Sequence, residues 1–331
     1  MKSIMDNSNR SIRVEGLRKN FDDVAAVDSA SFDVQSGELF GFLGPNGAGK
    51  TTTINMLTGL ARSDSGSVEI GGIDCTHDTR AAQHLVGVVP DESNLYPELT
   101  GYENLCFCAS LYGIRKRVRR DRACELLDLF GLADAAHRKF AGYSKGMKRK
   151  LTIAAGIIHE PAILFLDEPT TGIDVASARQ LRQLIARLNR QGTTIFLTTH
   201  YIEEAERLCH RVAFIVSGRI VKVNSVKELV QPFQDRNIVQ ITCERYQGEI
   251  WQELEQEFTG LTFTFPGEGI IRVESATTIR AGMLVRYLED RGIEVLEARR
   301  IRPSLEDVFV KVTGIEAGIM NREKEKSGGG Q

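Results

Sequence analysis

The stretch GPNGAGKTT (44–52) restricts the fold of this chain more than any other. It follows the apolar run ELFGFL and precedes the helical pattern TINMLTGL, which predicts a strand, a glycine-rich loop and a helix. The spacing is that of the phosphate-binding loop GxxxxGK[ST], with Gly44, Gly49, Lys50 and Thr51 at its fixed positions. Main-chain N–H groups of such a loop surround phosphate oxygens, the lysine reaches the β- and γ-phosphates, and the threonine hydroxyl binds Mg²⁺. The stretch therefore predicts a nucleotide phosphate site that also holds Mg²⁺.

Two further strands of the buried type end in polar side chains. The segment ILFLDEPTTGID places Asp167 and Glu168 at the end of one apolar run, and TTIFLTTH places His200 at the end of another. In open α/β sheets, ligand groups gather at the carboxyl ends of the strands. We expect Asp167 to bind the metal ion, Glu168 to polarise the attacking water, and His200 to donate a hydrogen bond to the γ-phosphate.

A third motif, YSKGMKRKL (143–151), predicts a helix that Ser144 caps and whose first turns carry four cations between 145 and 150. Cations are destabilising at a helix N-terminus, which already bears about half a positive charge. Ser144 and Gly146 would leave main-chain N–H groups open to a ligand. The start of this helix is therefore predicted to receive an anion.

The order of the sequence patterns predicts an α/β protein with a second, smaller domain. Residues 10–35 alternate as antiparallel strands do, residues 98–160 are mostly helical in pattern, and strands then alternate with helices, which predicts a parallel sheet. The stretch QPFQDRN, around residue 232, predicts a linker. The pattern after it is βαββαβ, typical of a ferredoxin-like domain. The tail at 315–331 is charged and then glycine-rich, which predicts disorder.

Composition excludes several classes of protein. The chain has 331 residues, 42% of them hydrophobic, which suits two domains with sizeable cores. The net charge of −2 gives no general attraction to nucleic acid, so no nucleic-acid partner is expected. No apolar run approaches the roughly 18 residues of a membrane-spanning helix. The N-terminus lacks the apolar core of a signal peptide, and the six cysteines form no CxxC pair, so a cytosolic chain with reduced thiols is expected.

In combination, the three motifs resemble those of the nucleotide-binding subunit of an ABC (ATP-binding cassette) transporter, over nearly all of residues 11–225. The resemblance implies a P-loop NTPase cassette at 10–231, with a RecA-like parallel sheet, an antiparallel β subdomain and a helical subdomain at about 91–160. An accessory domain at 236–314 would follow. Its closing segment, RPSLEDVFVKVTG (302–314), is similar to that of drug-resistance ABC export ATPases of the daunorubicin-exporter kind.

The resemblance assigns roles position by position. It implies that Phe21 stacks on adenine, that Asp167 binds Mg²⁺, that Glu168 is the catalytic base, and that His200 is the switch histidine. The loop that crosses the dimer interface corresponds to residues 172–174 and includes Asp174, while YSKGM stands where the family has its LSGGQ signature. The nucleotide-binding positions are Phe21, Gly44, Pro45, Asn46, Gly47, Ala48, Gly49, Lys50, Thr51 and Thr52, and those that would face the ATP of an opposing subunit are Ser144, Lys145, Gly146 and Met147.

The resemblance also implies the partners. Two such cassettes pack head to tail, so the anion at the start of the signature helix would be the γ-phosphate of the ATP held by the other subunit. ATP would hold the two subunits together, and its hydrolysis would let them separate. Export would run through a separate transmembrane permease, which would hold the chain at the cytoplasmic face of the membrane. The cassette does not bind the cargo, so the sequence does not identify it.

Three positions depart from the family pattern. Asp91 replaces the usual glutamine, while Lys145 and Met147 replace a glycine and a glutamine of the signature. A carboxylate suits Mg²⁺, so Asp91 is a candidate metal ligand, and the alternative is that it only caps the following turn. The partner subunit could be a second copy or a paralogue, with one weak ATP site in the second case. The sequence decides neither the role of Asp91 nor the identity of the partner subunit.

Two other functions compete with transport. A soluble ABC protein of translation or DNA repair usually carries two cassettes or a long coiled-coil insert, and this chain has neither. A silent regulatory module is disfavoured by the intact Lys50, Asp167, Glu168 and His200. Near the C-terminus, apolar positions at 305, 308 and 309 lie on one face of a predicted helix. That face would serve either assembly or packing on its own domain.

Overall fold

The computed structural model describes residues 10–77, 79–234, 237–244, 250–301 and 304–315. The tail expected to be disordered therefore lies outside the described residues, apart from Ile315. The chain forms two compact units. Of the described residues, the first contains those up to Ser225 together with Val312–Ile315, and the second runs from Val226 to Lys311. No helix within the described ranges is long and apolar enough to cross a membrane.

The strands of the first unit form two sheets within the described part of the chain. In chain order they are β1 (Arg10–Phe21), β2 (Val24–Gln35), β3 (Leu39–Leu43), β4 (Ser65–Ile70), β5 (Ile73–Asp74), β6 (Val86–Val89), β7 (Ile163–Asp167), β8 (Thr194–Thr199), β9 (Arg211–Val216) and β10 (Arg219–Ser225). The antiparallel sheet has the order β2-β1-β4-β5, and the larger sheet has the order β10-β9-β3-β8-β7-β6. Neighbours in the larger sheet are parallel except in the β9–β10 hairpin. The expected parallel core and antiparallel subdomain are both confirmed.

Phenylalanine rings pack the antiparallel sheet on the parallel one. Phe40 and Phe42 alternate along β3 and are fully buried, as the two-residue period of a strand requires for one face. The ring centroid of Phe32, on β2, lies 5.5 Å from that of Phe42 and 5.8 Å from that of Phe196 on β8. Such pairs are worth about 0.5–1.5 kcal/mol beyond the area they bury. The cluster fixes β3 and β8, whose carboxyl ends carry the glycine-rich loop and His200.

The helices of the first unit follow the sequence expectations closely. They are α1 (Lys50–Thr58), α2 (Gly101–Leu111), α3 (Lys116–Leu129), α4 (Lys145–Ile157), α5 (Val175–Arg190) and α6 (Ile202–Leu208). Helices α2 to α4 fall within the range expected for the helical subdomain. Thr100 begins α2 with a capping box, in which its hydroxyl accepts from the main-chain N–H of Glu103 and the glutamate returns to the N–H of Thr100.

The second unit is an antiparallel sheet with helices. Its elements are α7 (Val226–Gln234), β11 (Asn237–Cys243), α8 (Ile250–Glu257), β12 (Thr262–Gly267), β13 (Ile270–Ser275), α9 (Ala281–Glu289), β14 (Val295–Ile301) and α10 (Leu305–Thr313). From β11 to β14 the order is βαββαβ, and the sheet order is β12-β13-β11-β14. Alternate residues of β11 at 239, 241 and 243 share one apolar cluster with Leu254 of α8 and Leu284 of α9.

The segment QPFQDRN, where a linker is expected, is helical up to Gln234. Helix α7 runs through Pro232 to Gln234, and residues 235–236 lie outside the described part. Proline removes one hydrogen bond within a helix but does not prevent the helix from continuing beyond it. Burial of Leu229 and Val230 stabilises the helix despite that loss. The second compact unit begins at Val226, five residues before the expected end of the cassette at residue 231.

Helix α10 resolves the question about its apolar face. Leu305, Val308 and Phe309 are at most 1% exposed, so the chain itself covers this face. Ser304 and Asp307 form the start of the helix, because Oδ2 of Asp307 accepts from the main-chain N of Ser304 at 2.9 Å. The burial favours packing within the chain over an open surface for assembly.

Candidate active site

The glycine-rich loop lies between β3 and α1, at residues 44–49. Gly49 has a φ of 101°, and a Cβ on it would lie 2.3 Å from the carbonyl oxygen of Ala26, so no other residue fits there. No side chain caps α1 at Gly49, which leaves the first N–H groups of the helix for a ligand. A cavity of about 200 Å³ opens at the loop and is lined by Ala26, Asn46, Gly47, Gly49, Lys50, Thr51, Thr52, Asp91 and Glu168.

The ammonium group of Lys50 is buried beside this cavity. Its Nζ donates to the carbonyl oxygens of Gly44 at 2.8 Å and Pro45 at 3.1 Å. It also lies 3.1 Å from Oε1 of Glu168. A buried ammonium needs such partners, because desolvation of a charge without them is costly. The lysine is therefore folded over its own loop, with its charge shared between the loop and the carboxylate.

Thr51 and Asp167 lie together in a way that fits Mg²⁺. Oγ1 of Thr51 donates to Oδ2 of Asp167 at 2.8 Å, and the hydroxyl of Thr198 donates to Oδ1. Mg²⁺ usually takes one or two carboxylates together with substrate phosphates, not a cage made only of protein. No group of three or more acidic, histidine or cysteine side chains suited to a metal occurs among the described residues. The hydroxyl and the carboxylate would hold the ion jointly with phosphate oxygens.

Glu168 follows β7 and meets His200, which follows β8. Oε2 of Glu168 accepts from Nδ1 of His200 at 2.5 Å and from Oγ1 of Thr171 at 2.7 Å. Burial raises the pKa of this carboxyl, but the hydrogen bond from His200 and the charge of Lys50 outweigh burial and lower the pKa to about 2. The carboxylate is thus ionised at neutral pH, and these partners make it a weak base in this state.

Asp91 lies at the edge of the same cavity, directly beyond β6. Its side chain is 42% exposed, and its Oδ1 lies 4.0 Å from Nη2 of Arg149. The main-chain oxygen of Asp91 accepts from Nη1 of Arg149 at 2.8 Å. The structure therefore brings Asp91 to the same cavity as Thr51 and Glu168, where a carboxylate could act on the metal ion.

Arg149 is the site residue that sequence reasoning misplaced, because we expected it among the cations that await an anion. It is 7% exposed, and its guanidinium donates to main-chain oxygens at 90–91 and 167–169. Lys150 is also engaged, with Nζ 2.8 Å from Oε1 of Gln180. The signal was present in the spacing, since Arg149 lies three residues after the buried Gly146 and four before the buried Ile153. A cation on an apolar helix face indicates partners inside the fold.

The signature motif begins α4 as expected. Oγ of Ser144 accepts from the main-chain N of Met147 at 3.2 Å, and Ser144 is exposed. Gly146 is buried against α5, where a Cβ on it would lie 2.6 Å from Oγ of Ser177. Asp174 caps α5 by accepting from the main-chain N of Ser177 at 2.9 Å. The signature helix and the loop expected at the dimer interface therefore pack on each other within one chain.

The predicted site residues fall into separate groups. The loop, Asp91, Asp167, Glu168 and His200 come together, whereas residues 144–147 and Asp174 do not line the cavity. The ring of Phe21, at the end of β1, is 52% exposed and lies 5.3 Å from Nζ of Lys19. Its exposure suits the expected stacking on adenine, which stays a prediction.

Known proteins are similar to this chain in sequence and in fold. The family model described as ABC transporter matches residues 27–171. The linearmycin resistance ATP-binding protein LnrL of Bacillus subtilis (strain 168) is 39% identical over 306 residues, which cover 92% of this chain and 98% of that protein. The daunorubicin/doxorubicin resistance ATP-binding protein DrrA of Streptomyces peucetius is 36% identical over 319 residues, which cover 95% of this chain and 96% of that protein.

Solved structures agree with the sequence comparison. An ATP-binding subunit of an ABC transporter superposes with a TM-score of 0.61 at 29% identity, over 67% of this chain and 92% of that one. A dimeric post-hydrolysis state of the ATP-binding cassette MJ0796, bound to ADP and Pi, superposes with a TM-score of 0.60 at 25% identity. The match covers 65% of this chain and 98% of that one. These findings confirm the expected cassette fold, ATP with Mg²⁺, ATPase activity, and a separate permease. The chain therefore belongs to the ABC transporter family, in which it is an ATP-binding subunit related to drug-resistance ATP-binding proteins.

Proposed function

We propose that this subunit closes head to tail on a second ATP-binding subunit and powers export of a small molecule through its permease. Each ATP would lie between the phosphate loop of one subunit and residues 144–147 of the other. One observation carries the proposal: the predicted site is divided within the chain. The loop, Asp167 and Glu168 meet at one cavity, while Ser144 is exposed at the start of α4 and is not part of that cavity. An exposed helix start with open N–H groups favours an anion, here the γ-phosphate.

In this proposal the loop side chains hold the phosphates. Lys50 binds the β- and γ-phosphates, Thr51 and Asp167 hold Mg²⁺, and Asp91 contributes a further carboxylate at the cavity edge. When bound, Mg²⁺ neutralises the charge that develops on the phosphate oxygens during hydrolysis. The loop N–H groups at 44–49 orient the phosphate chain, as the absence of a capping side chain at the start of α1 permits.

Glu168 is the proposed general base. In the ATP-free chain, Lys50 and His200 stabilise its ionised form and lower its pKa to about 2. Both of those partners are suited to phosphate oxygens. Once Lys50 and His200 turn to the γ-phosphate, they stabilise the carboxylate of Glu168 less, and its basicity rises. ATP binding would thereby prepare Glu168 to accept a proton from the attacking water.

The family departures bear on the identity of the second subunit, and the names of relatives bear on the cargo. The departures at Asp91, Lys145 and Met147 are compatible with two copies of this chain or with a paralogue. Relatives are named for resistance to linearmycin and to daunorubicin, and another, from Burkholderia pseudomallei (strain 1710b), for Nod factor export, with 37% identity. Names given for resistance and for export support export over uptake.

An apolar groove in the first unit supports a location at the cytoplasmic face of the membrane. A cavity of about 380 Å³ lies between α1, β6 and the end of α2, and none of its lining residues is charged. Leu60 and Leu111 are 71% and 70% exposed at its edge, and Pro90, next to Asp91, lies in its wall. Exposed apolar patches mark interaction sites. We place the cytoplasmic segment of the permease in this groove, where it would adjoin the ATP site.

Size-exclusion chromatography tests the head-to-tail arrangement. With ATP and Mg²⁺, the Glu168→Gln subunit should accumulate as a dimer, because it binds ATP but barely hydrolyses it. Adding Ser144→Arg to the same chain should abolish the dimer, while binding of a fluorescent ATP analogue to the single subunit persists. Ser67→Arg, at an exposed position of β4, is the matched control and should leave the dimer intact. A dimer that persists with Ser144→Arg contradicts the arrangement.

A further inference from the structure

Arg149 joins the ends of two strands through their main chains. Its Nη2 lies 2.6 Å from each of the carbonyl oxygens of Asp167 and Glu168, and its Nε donates to that of Pro169 at 2.8 Å. Its Nη1 donates to the oxygens of residues 90–91, beyond β6. One guanidinium thus fixes the main chain that carries the metal-binding acid, the base and Asp91.

The contacts of Arg149 indicate a positioning role and not a ligand role. The residue does not line the cavity at the phosphate loop, and its hydrogen bonds within the described part of the chain all go to backbone oxygens. Burial lowers the pKa of Arg149, and the nearby carboxylates of Asp91 and Asp167 oppose that shift, so the charge is kept. The planar guanidinium presents its donors in a fixed geometry, which a flexible ammonium cannot reproduce.

The same residue stands on the signature helix. Ser144 begins α4, and Arg149 follows five residues later, roughly 7.5 Å along the axis at 1.5 Å per residue. The helix is continuous between them, so a shift of its start moves the guanidinium as well. Residues 90–91 and 167–169 would follow, because their oxygens have Arg149 as a common donor.

We infer that Arg149 couples the two ATP sites of the dimer. When the start of α4 docks on the ATP held by the partner subunit, Arg149 sets the main-chain positions of Asp91, Asp167 and Glu168 in its own subunit. A site would then reach its active geometry only after ATP has entered the other site. This inference rests on the head-to-tail dimer proposed above. It predicts that turnover rises sigmoidally with ATP concentration.

The test compares variants of the full-length subunit. Arg149→Lys keeps the positive charge but lacks the planar set of N–H donors of the guanidinium. The variant should still bind a fluorescent ATP analogue. Its turnover should fall, and the dependence of turnover on ATP concentration should become hyperbolic. A merely structural defect would reduce the active fraction without changing the shape of the curve. Arg122→Lys is the matched control, because Arg122 donates to the carbonyl oxygen of Ile158 at the other end of α4. That variant should stay sigmoidal.

A second variant leaves Arg149 in place. Lys148→Gly loosens the helix between Ser144 and Arg149, since glycine is a poor helix former, and Lys148→Ala is its control. The glycine variant should lose the sigmoidal response, and the alanine variant should keep it. This comparison holds even if Arg149→Lys does not fold.

The outcomes separate the inference from the proposed dimer. Dimer formation by Glu168→Gln is measured first, and its absence contradicts the dimer itself. If the dimer forms and wild-type turnover is already hyperbolic, only the coupling is overturned. The same holds if Arg149→Lys and Lys148→Gly both remain sigmoidal. Loss of the sigmoidal response in these two variants, with ATP binding retained and both controls unchanged, supports the coupling.

Discussion

Oε2 of Glu168 lies 2.5 Å from Nδ1 of His200, which joins the carboxyl ends of the neighbouring strands β7 and β8. Because the pKa of Glu168 is lowered to about 2, the carboxylate is the acceptor and Nδ1 carries the proton. A lowered pKa means that the pairing stabilises the fold above the usual glutamate pKa, near 4.3, and that this stability is lost as the pH falls toward about 2. At neutral pH the proposed base is therefore held in place before ATP arrives.

Replacing Glu168 by glutamine should reduce turnover by about 10²–10⁴, the usual contribution of general-base catalysis. ATP binding should persist, because the amide keeps the shape of the side chain beside the loop. Phosphate release under saturating ATP measures the first effect, and binding of a fluorescent ATP analogue measures the second. Glu203→Gln is the matched control, since Glu203 is an exposed glutamate that pairs with Arg207 in α6. Turnover of Glu168→Gln within a few-fold of wild type would remove Glu168 as the base.

A methyl group on Gly146 should push the signature helix away from α5. Its Cβ would lie 2.6 Å from Oγ and 2.9 Å from Cβ of Ser177, and overpacking of this kind costs about 1–3 kcal/mol. We expect Gly146→Ala to lower the free energy of unfolding, as measured by urea denaturation, and to reduce turnover.

The pair Gly146→Ala and Ser177→Gly tests that cause. Removing the serine side chain should restore part of the stability, although glycine in a helix itself costs about 1 kcal/mol relative to alanine. Gly142→Ala is the control, because a Cβ there meets nothing closer than 3.7 Å. If the losses of unfolding free energy in the two single variants simply add in the double variant, the contact with Ser177 is not the cause of the destabilisation.

Much of the site could be predicted because its determinants are local. Gly49 needs a positive φ at the start of α1, Ser144 caps α4, and the apolar runs before Asp167 and His200 form strands whose ends meet in a parallel sheet. Each of these follows from a few adjacent residues. The same holds for the βαββαβ order of the second unit, where apolar residues recur at every second position in the strands and about every 3.6 residues in the helices.

The rest depends on residues far apart in the sequence. The oxygens that accept from Arg149 come from residues 90–91 and 167–169, and only the assembled sheet places them around one guanidinium. Gly146 is required by Ser177, which lies on another helix. Likewise, α7 continues past Pro232 because Leu229 and Val230 are buried, which no local rule about proline shows.

A charge in the apolar groove should detach the subunit from its permease. Leu60→Glu places a carboxylate where we expect an apolar segment of the permease, and Leu60 is too exposed for the change to harm the fold. The variant should be lost from the membrane fraction of cells that produce the permease, while the isolated subunit still binds ATP. Val221→Glu, at an exposed position of β10, serves as the control and should stay with the membranes. Unchanged membrane association of Leu60→Glu would contradict the position of the docking site.

Asp307 should make the stability of the second unit depend on pH. Burial raises its pKa, but hydrogen bonds from Ser304 and Arg272, with the charge of Arg272, outweigh burial and lower it. Its contribution is therefore present above the usual aspartate pKa, near 3.9, and is lost as the pH falls through the lower folded-state pKa. Asp307→Asn should cost about 1–3 kcal/mol at pH 7, and less below pH ~4.

Circular dichroism follows urea unfolding of the full chain. Wild type and Asp307→Asn are compared at several pH values. Asp290→Asn, in the second unit, is the control for the loss of one carboxylate. A difference between wild type and Asp307→Asn that stays constant from pH 7 to pH ~3 would exclude the carboxylate charge as its source.

Asp91 should make ATP binding depend more strongly on Mg²⁺ than a glutamine would. Its carboxylate lies at the edge of the cavity that Thr51 and Glu168 also line. At about 5 Å from the γ-phosphate, with an effective dielectric near 20, the repulsion between the two charges would be roughly 3 kcal/mol. Mg²⁺ between them offsets much of this, because carboxylates suit that hard cation.

Asp91→Gln should therefore lower the Mg²⁺ concentration needed for tight ATP binding, and Asp91→Ala should slow turnover while binding to the phosphate loop is retained. Mg²⁺ titrations of ATP binding and of hydrolysis on wild type and both variants measure these effects. Glu92→Gln, at the exposed neighbouring position, is the control for a change of net charge alone. If all the titration curves superimpose, Asp91 does not act on the metal ion, and its role is limited to the turn after β6, where its main-chain oxygen accepts from Arg149.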